Sequence, residues 1–285
     1  MDRDGNGWVE CSLGHRHWGL HGAAGLLLHT VDDAGTVRVL LQHRAEWSHH
    51  GGTWGLPGGA RDSHEDVVAA ALREAVEETA LDQTQLRTRH TFVDDHGGWS
   101  YTTVYADTPR PLRTEPNQES VDLDWVPLPV VATRELHPGF AATWPAVQAG
   151  PATLLVDAAN VVGSRPDGWW NDRAGATTRL IASLDALRAL TVIDPEGGTR
   201  VVARVVVVVE GQARSVDDAP WAEVVRADGS GDDAIVTSAA ALTQAGASVI
   251  AVTADRGLRS RVQAAAVRAA AVQVAGPQWL LALIG

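Results

Sequence analysis

Residues 73–78 read Arg-Glu-Ala-Val-Glu-Glu, which sets Glu74, Glu77 and Glu78 at i, i+3 and i+4. On an α-helix that spacing gathers three carboxylates on one face within about a turn. Like charges so placed repel each other unless a divalent cation lies above them, and hard oxygen ligands are what Mg²⁺ or Mn²⁺ prefers. The helix follows Trp54-Gly-Leu-Pro-Gly-Gly59, a stretch with the composition of a turn, whose glycines let backbone groups approach a ligand closely. A glycine-rich turn over an acidic helix is suited to hold phosphate through a metal. The competing interpretation is a solvated acidic helix with no ligand.

A second set of acids lies in the other half of the chain. The apolar runs 153–157, 204–210 and 248–255 end in Asp157, Glu210 and Asp255, and Asp232-Asp233 follow a glycine-rich loop. In open α/β sheets, ligands bind beyond the carboxyl ends of the strands, so these acids are expected to meet in one crevice. Two divalent ions held there would clamp the attacking and leaving oxygens of a phosphodiester. The alternative is that the same acids cap helices or bind some other ligand.

Gly59, Glu65, Arg73, Glu74, Glu77, Glu78 and Leu81 fall in the spacing G-x5-E-x7-R-E-U-x-E-E-x-G-U, and the segment resembles the Nudix box. Ala75 replaces its bulky apolar residue and Ala80 its last glycine, so a helix end without a left-handed glycine cap is expected. The resemblance implies an α/β/α sandwich with a mixed sheet over residues 1–149 and cleavage of a nucleoside diphosphate linked to a group X, with Mg²⁺ or Mn²⁺ as cofactor. It implies Glu74, Glu77, Glu78 and the Gly58 carbonyl as metal ligands. One of the glutamates, or Glu119 with Asp122 behind it, would deprotonate water; Glu119 could equally be an ordinary loop carboxylate. Arg73, at the heart of the catalytic motif, would hold helix and loop together with Glu65. Gly58 and Gly59 would contact substrate, as would Trp18 in one of the loops (15–21, 47–50, 94–99) expected to choose X.

Asp157-Ala-Ala-Asn160, Asp232-Asp233 and Thr253-Ala-Asp255 resemble the PIN-like nucleases, in particular their NYN branch, across residues 152–285. This implies an α/β domain with a parallel sheet over residues 150–285 that cuts single-stranded RNA. Its metal ligands would be Asp157, Glu210, Asp232, Asp233 and Asp255, with Asp157 and Asp233 central to catalysis and Asn160 and Arg256 touching RNA. Glu210 stands where many relatives carry Asp. Arg165, Arg173, Arg256, Arg259, Arg261 and Arg268 are candidates to grip phosphates. Trp169-Trp170 could stack on bases or seal a domain surface.

These sites need scaffolds. At 285 residues the chain suits two domains, and a hydrophobic content of 45% with 20% charged residues is globular. Leu26–His29 and Val37–Gln42 are expected as a hairpin turned at 32–35, residues 89–93 and 100–106 as strands, and 119–127 as a late strand. Residues 148–151 are the expected linker, and beyond them short apolar runs alternate with Ala-rich helical stretches, the pattern of a parallel sheet. Residues 1–14 read as a short polar lead with little periodicity.

The net charge of −12 divides into −10 for residues 1–150 and −2 for 151–285, so nucleic-acid binding is expected only in the second half. No apolar run approaches a membrane span and the start is not a signal peptide, which gives a cytoplasmic expectation without membrane partners. The single cysteine, Cys11, is expected to permit no internal disulfide and no zinc cluster, which agrees with a reducing compartment. His15, His17 and His21 around Trp18 could bind a metal or be a mixture of surface and hydrogen-bonded imidazoles. Oligomerisation is left open. Two further functions fit the residues: a nucleotide-sanitising enzyme whose second domain only binds RNA or a partner, and a nucleotide-sensing regulator without turnover.

Overall fold

The computed structural model describes residues 3–266 and 271–285. The chain forms two compact units, Met1–Gln148 and Ala149–Gly285. No helix among the described residues is long and apolar enough to cross a membrane.

The first unit begins with a small antiparallel pair, β1 (Trp8–Glu10) and β2 (Arg16–Trp18), within and just after the polar lead of little periodicity. Three-residue strands carry too little alternation to be read from sequence. A mixed sheet follows, built from β3 (Ala23–Val31), β4 (Val37–Arg44), β5 (Trp54–Gly55), β6 (Gly58–Ala60), β7 (Arg87–Asp95), β8 (Ser100–Asp107) and β9 (Ser120–Pro127). The expected hairpin at 32–35 joins β3 to β4, and β3 runs parallel to β8. The glycine-rich segment 54–59 is not a simple turn, because β5 pairs with β4 and β6 with β3. Strand β3 changes partner along its length, to β6 through Ala23–Gly25 and to β4 through His29–Val31, and so delivers β6 beside the acidic helix.

That helix, α1 (Val67–Thr79), packs Ala70, Ala71 and Ala75 on Leu26, Leu28, Leu40, Val104 and Ala106 of the sheet. Ala75, one of the two departures from the box, is fully buried there, so its small side chain is what the close helix-to-sheet contact admits. Tyr105 points to the opposite face, and its hydroxyl donates to the Val147 carbonyl of α2 (Pro138–Val147) at 2.8 Å, which gives the α/β/α layering. The Asp66 side chain caps the start of α1 by accepting from the Ala69 N–H at 2.8 Å.

The end of α1 corrects one expectation. Ala80 adopts the left-handed conformation, φ 54° and ψ 25°, and its N–H still closes on the Val76 carbonyl at 2.9 Å. Burial of Leu81 requires the chain to reverse there, so alanine accepts a conformation that costs it about 1 kcal/mol relative to glycine. Ala80→Gly is therefore expected to stabilise the protein by about 0.5–1 kcal/mol, measured as a shift of the denaturant midpoint at unchanged slope. A neutral or destabilising result would mean that the reversal is unstrained.

The second unit is a predominantly parallel sheet. Strands β10 (Gly150–Asp157), β12 (Thr199–Val209), β13 (Glu223–Arg226), β14 (Val249–Val252) and β15 (Val272–Ala275) are parallel, and β11 (Thr191–Ile193) adds antiparallel to β12. The path runs β11-β12-β10-β14-β15 with β13 also on β12, so the first strand of the unit is central. Alternate residues serve two cores. Leu154, Val156, Val205, Val207, Ile250 and Val252 face α3 (Ala158–Gly163), α4 (Arg173–Ser183) and α7 (Pro277–Ile284). Leu155, Val206, Val208, Val249 and Ala251 face α5 (Gly231–Gln244) and α6 (Arg256–Ala265). Gly150 and Pro151, expected as linker, instead open β10 opposite Arg200 and Val201; a proline is tolerated at a strand's start.

Candidate active sites

The buried end of the acidic face is Glu78. It is 3% exposed, accepts the Gly58 N–H at 2.7 Å, and faces the Gln42 side-chain amide. Burial pushes its carboxyl up to about 8, and the neighbouring Glu74 carboxylate adds to the rise. Glu74 is also raised by burial and by Glu77, against the pull of Arg73. Its carboxylate lies over Gly59, where an added Cβ would stand 2.8 Å from the carboxyl carbon. The backbone is equally tight at Gly58, whose Cβ would meet the Ala24 carbonyl oxygen at 2.5 Å, and at Gly25, whose Cβ would overlap the Tyr101 hydroxyl. Burial and Glu78 together hold Tyr101 above the usual phenol range.

Arg73 organises the rest. Its guanidinium holds Glu65 through two bonds of 2.7 and 2.8 Å, Glu74 at 2.6 Å and the Ala60 carbonyl at 2.9 Å, so one side chain ties α1 to β6 and the intervening loop. The Arg73 bonds hold the Glu65 carboxyl below its ordinary range. Glu77 is the exposed member and pairs with Arg3, with Arg73 3.6 Å away.

Glu119 sits in the exposed loop that seals the end of α1. Its backbone holds Ala45, while Asn117 donates to the Glu77 carbonyl at 3.1 Å and its N–H to that of Glu78 at 3.3 Å. Asp122 lies on β9 opposite His43. Trp18 lies on β2, partly exposed, edge-on to Trp8 at 5.5 Å. Gln42, Ser120 and Tyr101 enclose the acidic face but carry no signal in the sequence, being polar residues in otherwise apolar strands.

Buried Glu78 and part-buried Glu74, each raised by desolvation and by a neighbouring acid, suit a hard divalent cation, which would add to the counter-charge that Arg73 gives Glu74. The fold and this acidic, glycine-lined face define a divalent-cation-dependent hydrolase of nucleotide phosphoanhydrides. The NUDIX domain pattern matches residues 19–146. A Mycobacterium tuberculosis protein provisionally named 8-oxo-dGTP diphosphatase 3 is 52% identical over 157 residues, covering 53% of this chain and 72% of that protein. A Bifidobacterium longum protein named nucleoside triphosphate pyrophosphatase/Nudix hydrolase fusion protein is 40% identical over 150 residues, 51% of this chain and 31% of its own length. The crystal structure of RenU, a Nudix hydrolase from M. smegmatis, is 53% identical over 50% of this chain and 92% of its own, with a TM-score of 0.49. The chain belongs to the NUDIX family and is a Nudix hydrolase.

In the second unit, the ends of β10, β12 and β14 bring Asp157, Glu210 and Asp255 to the start of α5. Burial raises the Asp157 carboxyl, and Asp232 and Glu210 raise it further. Asp232 is raised by burial and by Asp255, Glu210 and Asp233. Asp157, Glu210, Asp232 and Asp255 therefore share one electrostatic neighbourhood, and Arg261 lies at its edge, paired with Asp233 and 3.8 Å from Asp232.

Three of these acids also meet helix starts. Asp157 accepts the Asn160 N–H at 3.0 Å, Asp255 that of Leu258 at 2.7 Å, and Glu210 that of Gly231 at 2.7 Å. Thr253 donates to the second Asp157 oxygen at 3.0 Å, and the Asn160 side-chain oxygen accepts the Ala254 N–H at 2.7 Å.

The expected basic run is partly committed elsewhere. Arg259 donates to the Thr253 carbonyl at 3.0 and 3.1 Å and Arg261 pairs with Asp233, while Arg256 is exposed. Arg268 lies outside the described residues. Arg173 stacks over Trp169, which packs on the core of its own unit, and Trp170 is 60% exposed.

Ligand atoms of Cys11, His15, His17 and His96 all lie within 4.8 Å of one another. His21 is apart from them, near Asp4 at 3.8 Å.

Proposed function

We propose that the first unit hydrolyses nucleoside triphosphates, oxidised guanine nucleotides among them, between the α and β phosphorus atoms to give a nucleoside monophosphate and pyrophosphate. The observation carrying this reading is the acidic face beneath Gly58 and Gly59, where buried Glu78 and part-buried Glu74 are each raised by burial and by a neighbouring glutamate. The names of the Mycobacterium and Bifidobacterium relatives support the triphosphate as substrate. Glu74, Glu77, Glu78 and the Gly58 carbonyl would hold Mg²⁺ or Mn²⁺, which when bound neutralises phosphate oxygens and acidifies water. Arg73 and Glu65 keep helix and loop in register. Glu119, or a glutamate of the helix, takes the proton of the attacking water. Trp18, exposed on its hairpin, offers a ring face to a base.

A panel of canonical and 8-oxo nucleoside triphosphates and sugar-linked diphosphates, assayed with Mg²⁺ and with Mn²⁺, tests the reading. The oxidised guanine nucleotide is expected to show the highest kcat/KM. A preference for a sugar-linked diphosphate would replace the triphosphate assignment while keeping the site.

For the second unit we propose a PIN-like, NYN-type domain that cuts single-stranded RNA with divalent metal. The parallel sheet with its first strand central and the electrostatic coupling of Asp157 and Asp232 support it. Asp157, Glu210, Asp232 and Asp255 would hold the metal, Asn160 would orient the strand ends, and Arg256 and Trp170 would contact RNA. The capping bonds of Asp157, Glu210 and Asp255 favour a second reading, a module that binds RNA or a partner without cutting.

A further inference from the structure

We infer that Cys11, His15, His17 and His96 form a structural zinc site in the first unit, separate from the acidic face of α1. Cys11 and His15 flank the turn between β1 and β2, where the Cys11 N–H donates to the His15 carbonyl at 2.9 Å and Gly14 closes on Cys11 at 3.0 Å. His17 follows on β2, opposite Val9. His96 comes from the turn joining β7 to β8, which Ser12 holds to the hairpin through its N–H and the Gly97 carbonyl at 2.8 Å. One thiolate and three imidazoles, with no open position needed for a reactant, is a donor set that zinc favours in closed sites.

The hydrogen bonds around the cluster show which atoms remain for a metal. The His96 Nε2 lies 3.1 Å from the Asp94 carboxylate, while its Nδ1 is buried without a partner. A metal-bound histidine commonly donates its other ring nitrogen to a carboxylate in this way, which fixes the tautomer and strengthens the ligand. The His17 Nε2 is likewise buried without a partner, and its ring is stacked on Trp99 with centroids 4.0 Å apart. Two orphaned imidazole nitrogens beside a buried thiol would each cost free energy, and one cation satisfies them together. Zinc bonds of about 2.0–2.3 Å place tetrahedral ligand atoms roughly 3.5 Å apart. A set already inside 4.8 Å closes by about one ångström, and the exposed His15 leaves an entry path.

The hairpin also has reason to be braced. Two three-residue strands are not stable by themselves, and a metal joining them to the β7–β8 turn would hold them in place. The other histidine cluster, His49, His50 and His137, has Arg44 close enough to oppose a cation. In the group of Asp62, His64 and Glu65, Glu65 is bound to Arg73 and Asp62 accepts the Gly5 N–H.

The test uses the full chain in excess Mg²⁺, which occupies carboxylate sites, titrated with Co²⁺ and then Zn²⁺. The expected result is one equivalent of Co²⁺ with the intense visible bands of tetrahedral coordination and a near-ultraviolet thiolate-to-cobalt band, all abolished by one equivalent of Zn²⁺. Cys11 releases its thiol proton as the metal binds. Cys11→Ser should lose the thiolate band, and Asp94→Asn should weaken zinc about 10–100-fold. Absence of the thiolate band in the wild-type protein, or an unchanged spectrum in Cys11→Ser, would overturn the proposal, and the first of these is read on the wild-type protein alone.

Discussion

Glu78→Gln is expected to lower kcat for triphosphate hydrolysis roughly 100-fold or more while leaving the protein folded. Glutamine keeps an acceptor for the Gly58 N–H but offers a cation no charge, and a divalent metal contributes several kcal/mol to stabilising a phosphoryl transition state. The same variant reports on the buried charge. Without metal the folded protein holds a proton on Glu78 up to about pH 8, whereas the unfolded chain releases it near 4.5. Folding therefore takes up a proton in that window, and the metal-free protein loses stability as pH rises from about 4.5 to 8. One group contributes at most about 1.4 kcal/mol per pH unit. Thermal unfolding in chelator should show that slope in the wild-type protein and a shallower one in Glu78→Gln. Glu77→Gln, at the exposed end of the face, should also lose activity. Wild-type turnover in Glu78→Gln would move the metal elsewhere.

Asp157→Asn is expected to abolish single-stranded RNA cleavage, a fall of roughly 100-fold or more, with triphosphate hydrolysis unchanged. Asparagine keeps an oxygen to accept the Asn160 N–H, and its amide NH2 replaces the oxygen that accepts from Thr253 and can donate to that hydroxyl instead, so the main change is the lost charge. Asp232→Asn, on a partly exposed side chain at the start of α5, should behave alike. The measurement is cleavage of a labelled oligonucleotide by the full chain in Mn²⁺, with and without chelator. Cleavage that survives both substitutions would come from another site, and RNA binding without cleavage in the wild-type protein would establish the binding-module reading.

The two acidic sites were legible in the sequence because each follows from a period: i, i+3, i+4 for the helix, and an apolar run closed by an acid for the strands. Three-dimensional partnering was not. That Arg73 grips Glu65, Glu74 and Ala60 at once fits its place in the box, but nothing in the sequence shows that Arg259 folds back on the Thr253 carbonyl or that Asp233 turns to Arg261. The Cys11, His15, His17 and His96 cluster escaped because its fourth member comes from a distant turn. The left-handed Ala80 escaped because residue preference favours glycine there, while burial of Leu81 decides.

The close approach of backbone at Gly25, Gly58 and Gly59 has a consequence for reading mutational tolerance. Any side chain at these positions would collide with Tyr101, with the Ala24 carbonyl or with the Glu74 carboxylate, so nearly every base change that replaces the glycine would be lost from a selected library. Such depletion would look like that of the glutamates themselves. Only the glycines would be depleted equally in a library sorted for folding alone, where isosteric neutral replacements of the glutamates persist.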